Sequence, residues 1–205
     1  MRKLLLTAIG AAACAAASPA MAGVTFNTNS STLLCNTASN CNQIDSQTVS
    51  FGGITLQYVP GSGLNIQPTS FINLGALDAS GTGSFDLTGV LLGITIDQTI
   101  PGGTGTLPGG DITGILTGNS SGASITWLSG GVTINGYQYT VTNNPLSLVS
   151  PSSCIPGTEV CGVTTVQGQV AAVPEPATWA LMLFGFAGVG FAMRRQRKPV
   201  LAQVA

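Results

Sequence analysis

The chain reads as all-β, and three observations carry that reading. Between residues 23 and 173, Gly, Thr, Ser and Asn alternate with short runs of Val, Ile, Leu and aromatic residues, a composition that suits short strands and tight turns rather than helices. Asn135-Gly136 separates Val132-Thr133-Ile134 from Tyr137-Gln138-Tyr139-Thr140-Val141, and Asn-Gly is the dipeptide of a type I′ hairpin turn. About 150 residues are enough to bury one core. The expected architecture is a single jelly-roll-like β-sandwich domain over residues 23–173, with a β-helix as the alternative.

Taken in order, the expected strands are Val49 to Val59, Ser84 to Ile96, Asp111 to Leu116, Ala123 to Leu128, Gly131 to Thr142 and Gly162 to Ala171. Each joins β-branched or aromatic residues to flanking turn formers. Asp86-Leu87-Thr88-Gly89-Val90-Leu91-Leu92-Gly93 is echoed 25 residues later by Asp111-Ile112-Thr113-Gly114-Ile115-Leu116-Thr117-Gly118. Two copies are too few for a solenoid, so the echo reads as two similar strands in equivalent places of a sandwich. The Gly-rich stretch from Ile100 to Gly110 reads as a flexible loop between them, and residues 143–161 as a second long loop.

Charge narrows the chemistry. All six Lys and Arg stand at positions 2, 3, 194, 195, 197 and 198. Between Gly23 and Val173 the ionisable groups are Asp45, Asp78, Asp86, Asp97, Asp111 and Glu159, six carboxylates and no cation, hence a net charge of −6. A surface of that sign has nothing to neutralise phosphates, which excludes nucleic acid as a partner. With no His anywhere, a Ser-His-Asp triad and any His-ligated metal are impossible. Without Lys or Arg there is no Schiff-base amine and no phosphate clamp. Paired carboxylates remain, as in glycoside hydrolysis, with Asp86, Asp97 and Asp111 as candidates. Asp86 and Asp111 precede strand-like runs, where Asp turns or caps the chain. Gly102-Gly103-Thr104-Gly105 opens like a calcium-binding nonapeptide but has Leu107 where an aspartate belongs. No metal or cofactor is expected.

Trp127, Tyr58, Tyr137 and Tyr139 are the rings through which such a domain could hold a sugar. Tyr137 and Tyr139, two apart on one strand, share a face and fit a buried stripe equally well. Cys35, Cys41, Cys154 and Cys161 form an even set in the exported region, and five and six intervening residues favour two local disulfides, Cys35 with Cys41 and Cys154 with Cys161.

The two ends carry an address. Arg2-Lys3, the apolar and small-residue run from Leu4 to Ala17, and Ala20-Met21-Ala22 before Gly23 make a signal peptide over residues 1–22, cut after Ala22. A lipoprotein signal ending at Cys14 lacks the leucine three residues upstream. At the other end, Pro174-Glu175-Pro176 precedes seventeen uncharged residues, Ala177 to Met193, and then Arg194-Arg195-Gln196-Arg197-Lys198. Seventeen helical residues reach about 25 Å, a short crossing for a hydrocarbon core of about 30 Å. The cations after it stay cytoplasmic and leave residues 23–173 on the outer face. Trp179 sits at the interface, and Gly188 with Ala192 makes a small-xxx-small pair. The two prolines hold Glu175 in an extended segment, the form a protease grips.

Val173-Pro174-Glu175-Pro176-Ala177-Thr178-Trp179-Ala180, with the apolar span and Arg194-Arg195 after it, resembles the PEP-CTERM sorting signal in its Trp-Ala variant. The resemblance covers residues 174–205. It implies a Gram-negative protein that leaves through the Sec export machinery, is anchored briefly by its C-terminus, and is handled by an exosortase, a membrane-embedded cysteine protease or transpeptidase. It further implies a setting of extracellular polysaccharide and biofilm matrix. The expected function is that of a non-enzymatic cell-surface or matrix protein. The alternatives are a carbohydrate-binding module of that matrix and, after it, an acid-type glycan hydrolase.

Overall fold

The computed structural model describes residues 23–35, 41–128, 131–173 and 176–196. The strands run β1 (Val24–Asn27), β2 (Thr32–Cys35), β3 (Asn42–Asp45), β4 (Thr48–Phe51), β5 (Ile54–Pro60) and β6 (Ser62–Ile66). Then come β7 (Ser70–Gly81), β8 (Ser84–Asp86), β9 (Val90–Gly93), β10 (Thr95–Ile100), β11 (Gly102–Thr106) and β12 (Gly110–Thr113). The last are β13 (Ile115–Thr117), β14 (Ser124–Trp127), β15 (Val132–Ile134), β16 (Tyr137–Val141), β17 (Leu146–Ser147) and β18 (Val163–Ala172), followed by helix α1 (Pro176–Gln196).

A seven-stranded sheet in the order β15-β16-β18-β7-β5-β4-β3 is the largest; a four-stranded sheet is ordered β11-β10-β1-β6, a five-stranded one β17-β14-β12-β9-β2, and β13 pairs with β8. All strand pairs are antiparallel. This sets aside the β-helix, whose coils stack in parallel. Along β5 the buried residues Ile54, Leu56 and Tyr58 alternate with outward ones, the period-two signature of a sheet with one covered face. Phe26 of β1 meets Tyr139 of β16 edge to face at 5.8 Å between ring centres, and Phe51 of β4 stacks on Phe85 of β8 at 3.6 Å. Side chains from all four sheets thus close one apolar core.

β7 is the longest strand and lies between β18 and β5. Its ladder with β18 slips at Leu74: Val166 pairs with Gly75, but Gln167 pairs with Asn73. A bulge of this kind strips a backbone group of its ladder partner. The Leu74 carbonyl is met instead by two buried hydroxyls, Thr28 at 3.0 Å and Tyr58. The Tyr58 and Thr28 hydroxyl oxygens lie 2.9 Å apart, and Thr28 Oγ1 accepts the Gly61 N–H at 2.8 Å. Gly75 sits at φ +129° directly under the Tyr58 ring, where a Cβ would collide with the phenol oxygen.

Several elements differ from expectation. Val49 to Val59 is a hairpin, β4 and β5, turned by Gly52 and Gly53, both at positive φ. The run 84–96 is divided among β8, β9 and the start of β10. The stretch 100–110 is no flexible loop, because β11 pairs residue for residue with β10, from Thr95 with Thr106 to Thr99 with Gly102. Its glycines serve close packing: a Cβ at Gly105 would strike Ile134 and Val132 of β15. The two halves of the echo do not occupy separate equivalent places; they pair with each other, Val90 with Ile112 and Asp86 with Ile115. The one-residue offset between these registers falls at Gly89 and Gly114, the same position of the repeat, and both take positive φ. Between residues 143 and 161 only the two-residue β17 interrupts the long loop. The Asn135-Gly136 hairpin forms as expected, with both residues at positive φ and Ile134 opposite Tyr137.

Thr28→Val removes the hydroxyl shared by Gly61, Leu74 and Tyr58. Urea unfolding is expected to show a loss of about 1–3 kcal/mol, the cost of leaving buried polar groups unmet, and a smaller loss for Tyr58→Phe.

Candidate functional site

The C-terminal segment grows directly out of the central sheet. β18 pairs with β16 to its last residue, Ala172 with Tyr137, and the Val173 N–H donates to the Gly136 carbonyl at 2.7 Å. Pro174 and Glu175 lie outside the described residues. The helix α1 opens on Pro176, a position where proline costs nothing because the first-turn N–H has no partner to lose. Three residues therefore separate a paired strand from a helix. The side chains of Trp179 and Arg195 lie outside the described residues, as do Ala20 and Ala22 of the expected signal peptide; Gly23 is placed, packed against Asn65.

From Ala180 to Arg194 every residue of α1 is exposed. Leu181, Leu183, Phe184 and Phe191 are each about 70 % exposed or more, and no other described part of the chain approaches Gly185, Gly188 or Gly190. An all-round apolar helix is at home in a core or in lipid, not in water. Among the described residues, no helix is long and apolar enough to cross a membrane; the expected span, 177–193, begins before the first described side chain.

The other candidates are dispersed. Asp86, Asp97 and Asp111 stand on the two-, four- and five-stranded sheets respectively. Asp86 accepts the Thr88 hydroxyl at 2.6 Å and the Thr88 N–H at 3.0 Å, a turn that holds its carboxyl below the usual carboxylate range. Asp97 accepts Ser30 at 2.6 Å and Thr104 at 3.2 Å, tying β10 to its neighbours. An open cleft of about 540 Å³ is lined by Asp78, Gly81, Thr117, Asn119, Ser152 and Glu159. Among the described residues, no three His, Cys, Asp or Glu side chains are grouped to hold a metal.

The rings expected as sugar platforms are in the core. Tyr58 and Tyr139 are fully buried, and Trp127 and Tyr137 nearly so. Burial raises the Tyr58 and Tyr139 hydroxyls above the ordinary phenol range; Tyr139 donates to Gln98 of β10 at 2.7 Å. Trp127 covers Gly110, its register partner on β12, and its indole N–H has no partner among the described residues. A sugar stacked on these four rings is therefore ruled out. Cys35 is bonded to Cys41 and Cys154 to Cys161, the two local pairings, the second closing an exposed loop over residues 155–160.

The geometry defines a β-domain with a helical tail whose side chains from Ala180 to Arg194 no described part of the domain covers. Residues 172–198 match the family model of the PEP-CTERM protein-sorting motif, so the tail carries a PEP-CTERM sorting signal, which implies export, membrane-associated sorting and exosortase processing. No curated protein and no solved structure matches the chain. The Val173 to Gly136 bond, which fixes where the tail leaves the sheet, had no signal in the sequence beyond the Asn-Gly turn itself.

Because the folded Asp86 carboxyl titrates below its ordinary value, its contribution is fully present above the unfolded carboxylate range and is lost as pH falls through the folded value. Asp86→Asn is expected to flatten the acid limb of a stability-against-pH curve measured by urea unfolding and to leave the neutral region nearly unchanged.

Proposed function

We propose that the chain is an exported, non-enzymatic surface or matrix protein, with a sandwich-like β-domain, delivered through its disposable C-terminal helix. The observation that carries this reading is the uncovered helix three residues beyond a paired strand. Each large apolar side chain moved from water into hydrocarbon gains about 1.5–3 kcal/mol, and eight of them on α1 are exposed. That gain favours lipid over water for the exposed side chains of the helix. Arg194 to Lys198 hold its far end on the cytoplasmic side, so the β-domain stands on the exported face.

Enzyme chemistry receives no support from the residues. The exported region lacks His, Lys and Arg, and its three central aspartates sit on three different sheets. The role left to the domain is binding or assembly, and the polysaccharide matrix is the setting the sorting signal implies. Glu175, held between two prolines, is the charge we assign to exosortase recognition.

Three outcomes are expected. Protein recovered outside the inner membrane yields peptides from the β-domain and none from residues 180–205 by mass spectrometry; tail peptides on the exported form would sink the proposal. Trypsin leaves that form whole, since Gly23 to Val173 holds no Lys or Arg, while it shortens the precursor. Glu175→Gln, which keeps the shape and removes the charge, leaves uncut precursor in the inner membrane.

A further inference from the structure

The ends of the exported domain meet on one side of it. Val24, the first residue of β1, pairs with Ile66, the last of β6, and Thr25 pairs with Ile100, the last of β10. Ser70 opens β7 opposite Val170 near the end of β18, and the Thr69 N–H donates to the Val170 carbonyl at 2.7 Å. Asn135, at the hairpin turn, donates to the Gly102 carbonyl at the start of β11, while Gly136 holds Val173. The start of the domain after the signal peptide and its exit into α1 thus lie at the same end.

Three large apolar side chains are exposed at that end. Leu64 is 79 % exposed, Phe71 75 % and Ile100 57 %, each within three residues of the last rung of its ladder. Exposed apolar side chains also stand elsewhere on the domain, Ile44, Ile115, Leu128, Ile155 and Val160 among them, so it is the place of these three beside the exit into α1 that sets them apart. Two carboxylates lie far from it. Asp78 pairs with Val163 at the opposite end of the β7–β18 ladder, about 26 Å from Ser70 at 3.3 Å per residue, and Glu159 lines the cleft beside it. Asp97, three residues before Ile100, is the nearest carboxylate on these strands, and both its oxygens are engaged by Ser30 and Thr104.

We propose that this end of the β-domain, bearing Leu64, Phe71 and Ile100, docks on the lipid surface of the membrane into which α1 inserts. The inference rests on the insertion of α1 and adds to it an orientation. A connector of three residues reaches about 10 Å when extended, so an inserted helix leaves the end of β18 no room to stand off from the headgroups. The apolar side chains enter the interface, while Asp78 and Glu159 stand at the far end of the β7–β18 ladder. Docking also holds Val173 to Pro176 at the depth where a membrane-embedded protease works.

The test uses the full chain in vesicles of phosphatidylethanolamine and phosphatidylglycerol. A benzophenone-bearing residue replaces Leu64, Phe71 or Ile100, or, as controls at the far end, Ile155 or Val160, which are also exposed and apolar. All five sites are at the surface, and thermal melting confirms that each variant folds. Illumination is expected to give several times more lipid adduct at the first three positions than at the controls, with α1 protected from added protease. Equal yields at all five sites with α1 protected would overturn the docking and leave insertion standing. A helix open to the protease would overturn both.

Discussion

The Leu74 carbonyl is the point on which the architecture turns. One extra residue in β7 bends the long strand and frees that carbonyl from the β18 ladder. Without a partner it would cost a desolvated acceptor in the middle of the core. Thr28 and Tyr58 meet it, and in doing so they join β1, the β5–β6 turn at Gly61 and the central sheet in one buried hydrogen-bonded knot. The four-stranded sheet is held over the seven-stranded one at this knot and again where Tyr139 reaches Gln98. Local backbone irregularity and global layering are therefore the same fact seen at two scales.

Much of the molecule was legible in the sequence, and the limits have physical causes. The Asn135-Gly136 hairpin and β18 were readable because their alternation is clean and their turn chemistry is explicit. The disulfides were readable because four cysteines at short spacings leave few economical pairings. β7 was missed because Gly75 and Asp78 interrupt its alternation, and nothing local announces that a bulge absorbs the break. β11 was missed for the opposite reason: a run of glycines looks like a linker, and only the face of β15 pressed against it explains why side chains are absent. For the same reason the four rings could not be placed from sequence, since period two gives a shared face but not which face is covered.

The tail was the most legible part, since proline, carboxylate, apolar span and cations follow one another in a fixed order. What its residues could not tell was how tightly it is joined to the domain. The charge census and the fold meet here. Every cation of the chain lies outside residues 23–173, so tail and domain are separable in composition, yet the Val173 to Gly136 bond makes them contiguous in space. The export machinery handles a helix and a basic cluster that share almost no chemistry with the protein they deliver.

That tight junction has a consequence for the finished molecule. A bond cut between Val173 and Pro176 leaves a flush end, with no overhang beyond a residue or two past the last rung of β18. A carboxylate left at Val173 would be a fixed point on the surface of the domain, beside the hairpin turn whose Gly136 carbonyl accepts the Val173 N–H. Any molecule joined there would inherit the orientation of the sheet instead of swinging on a tether.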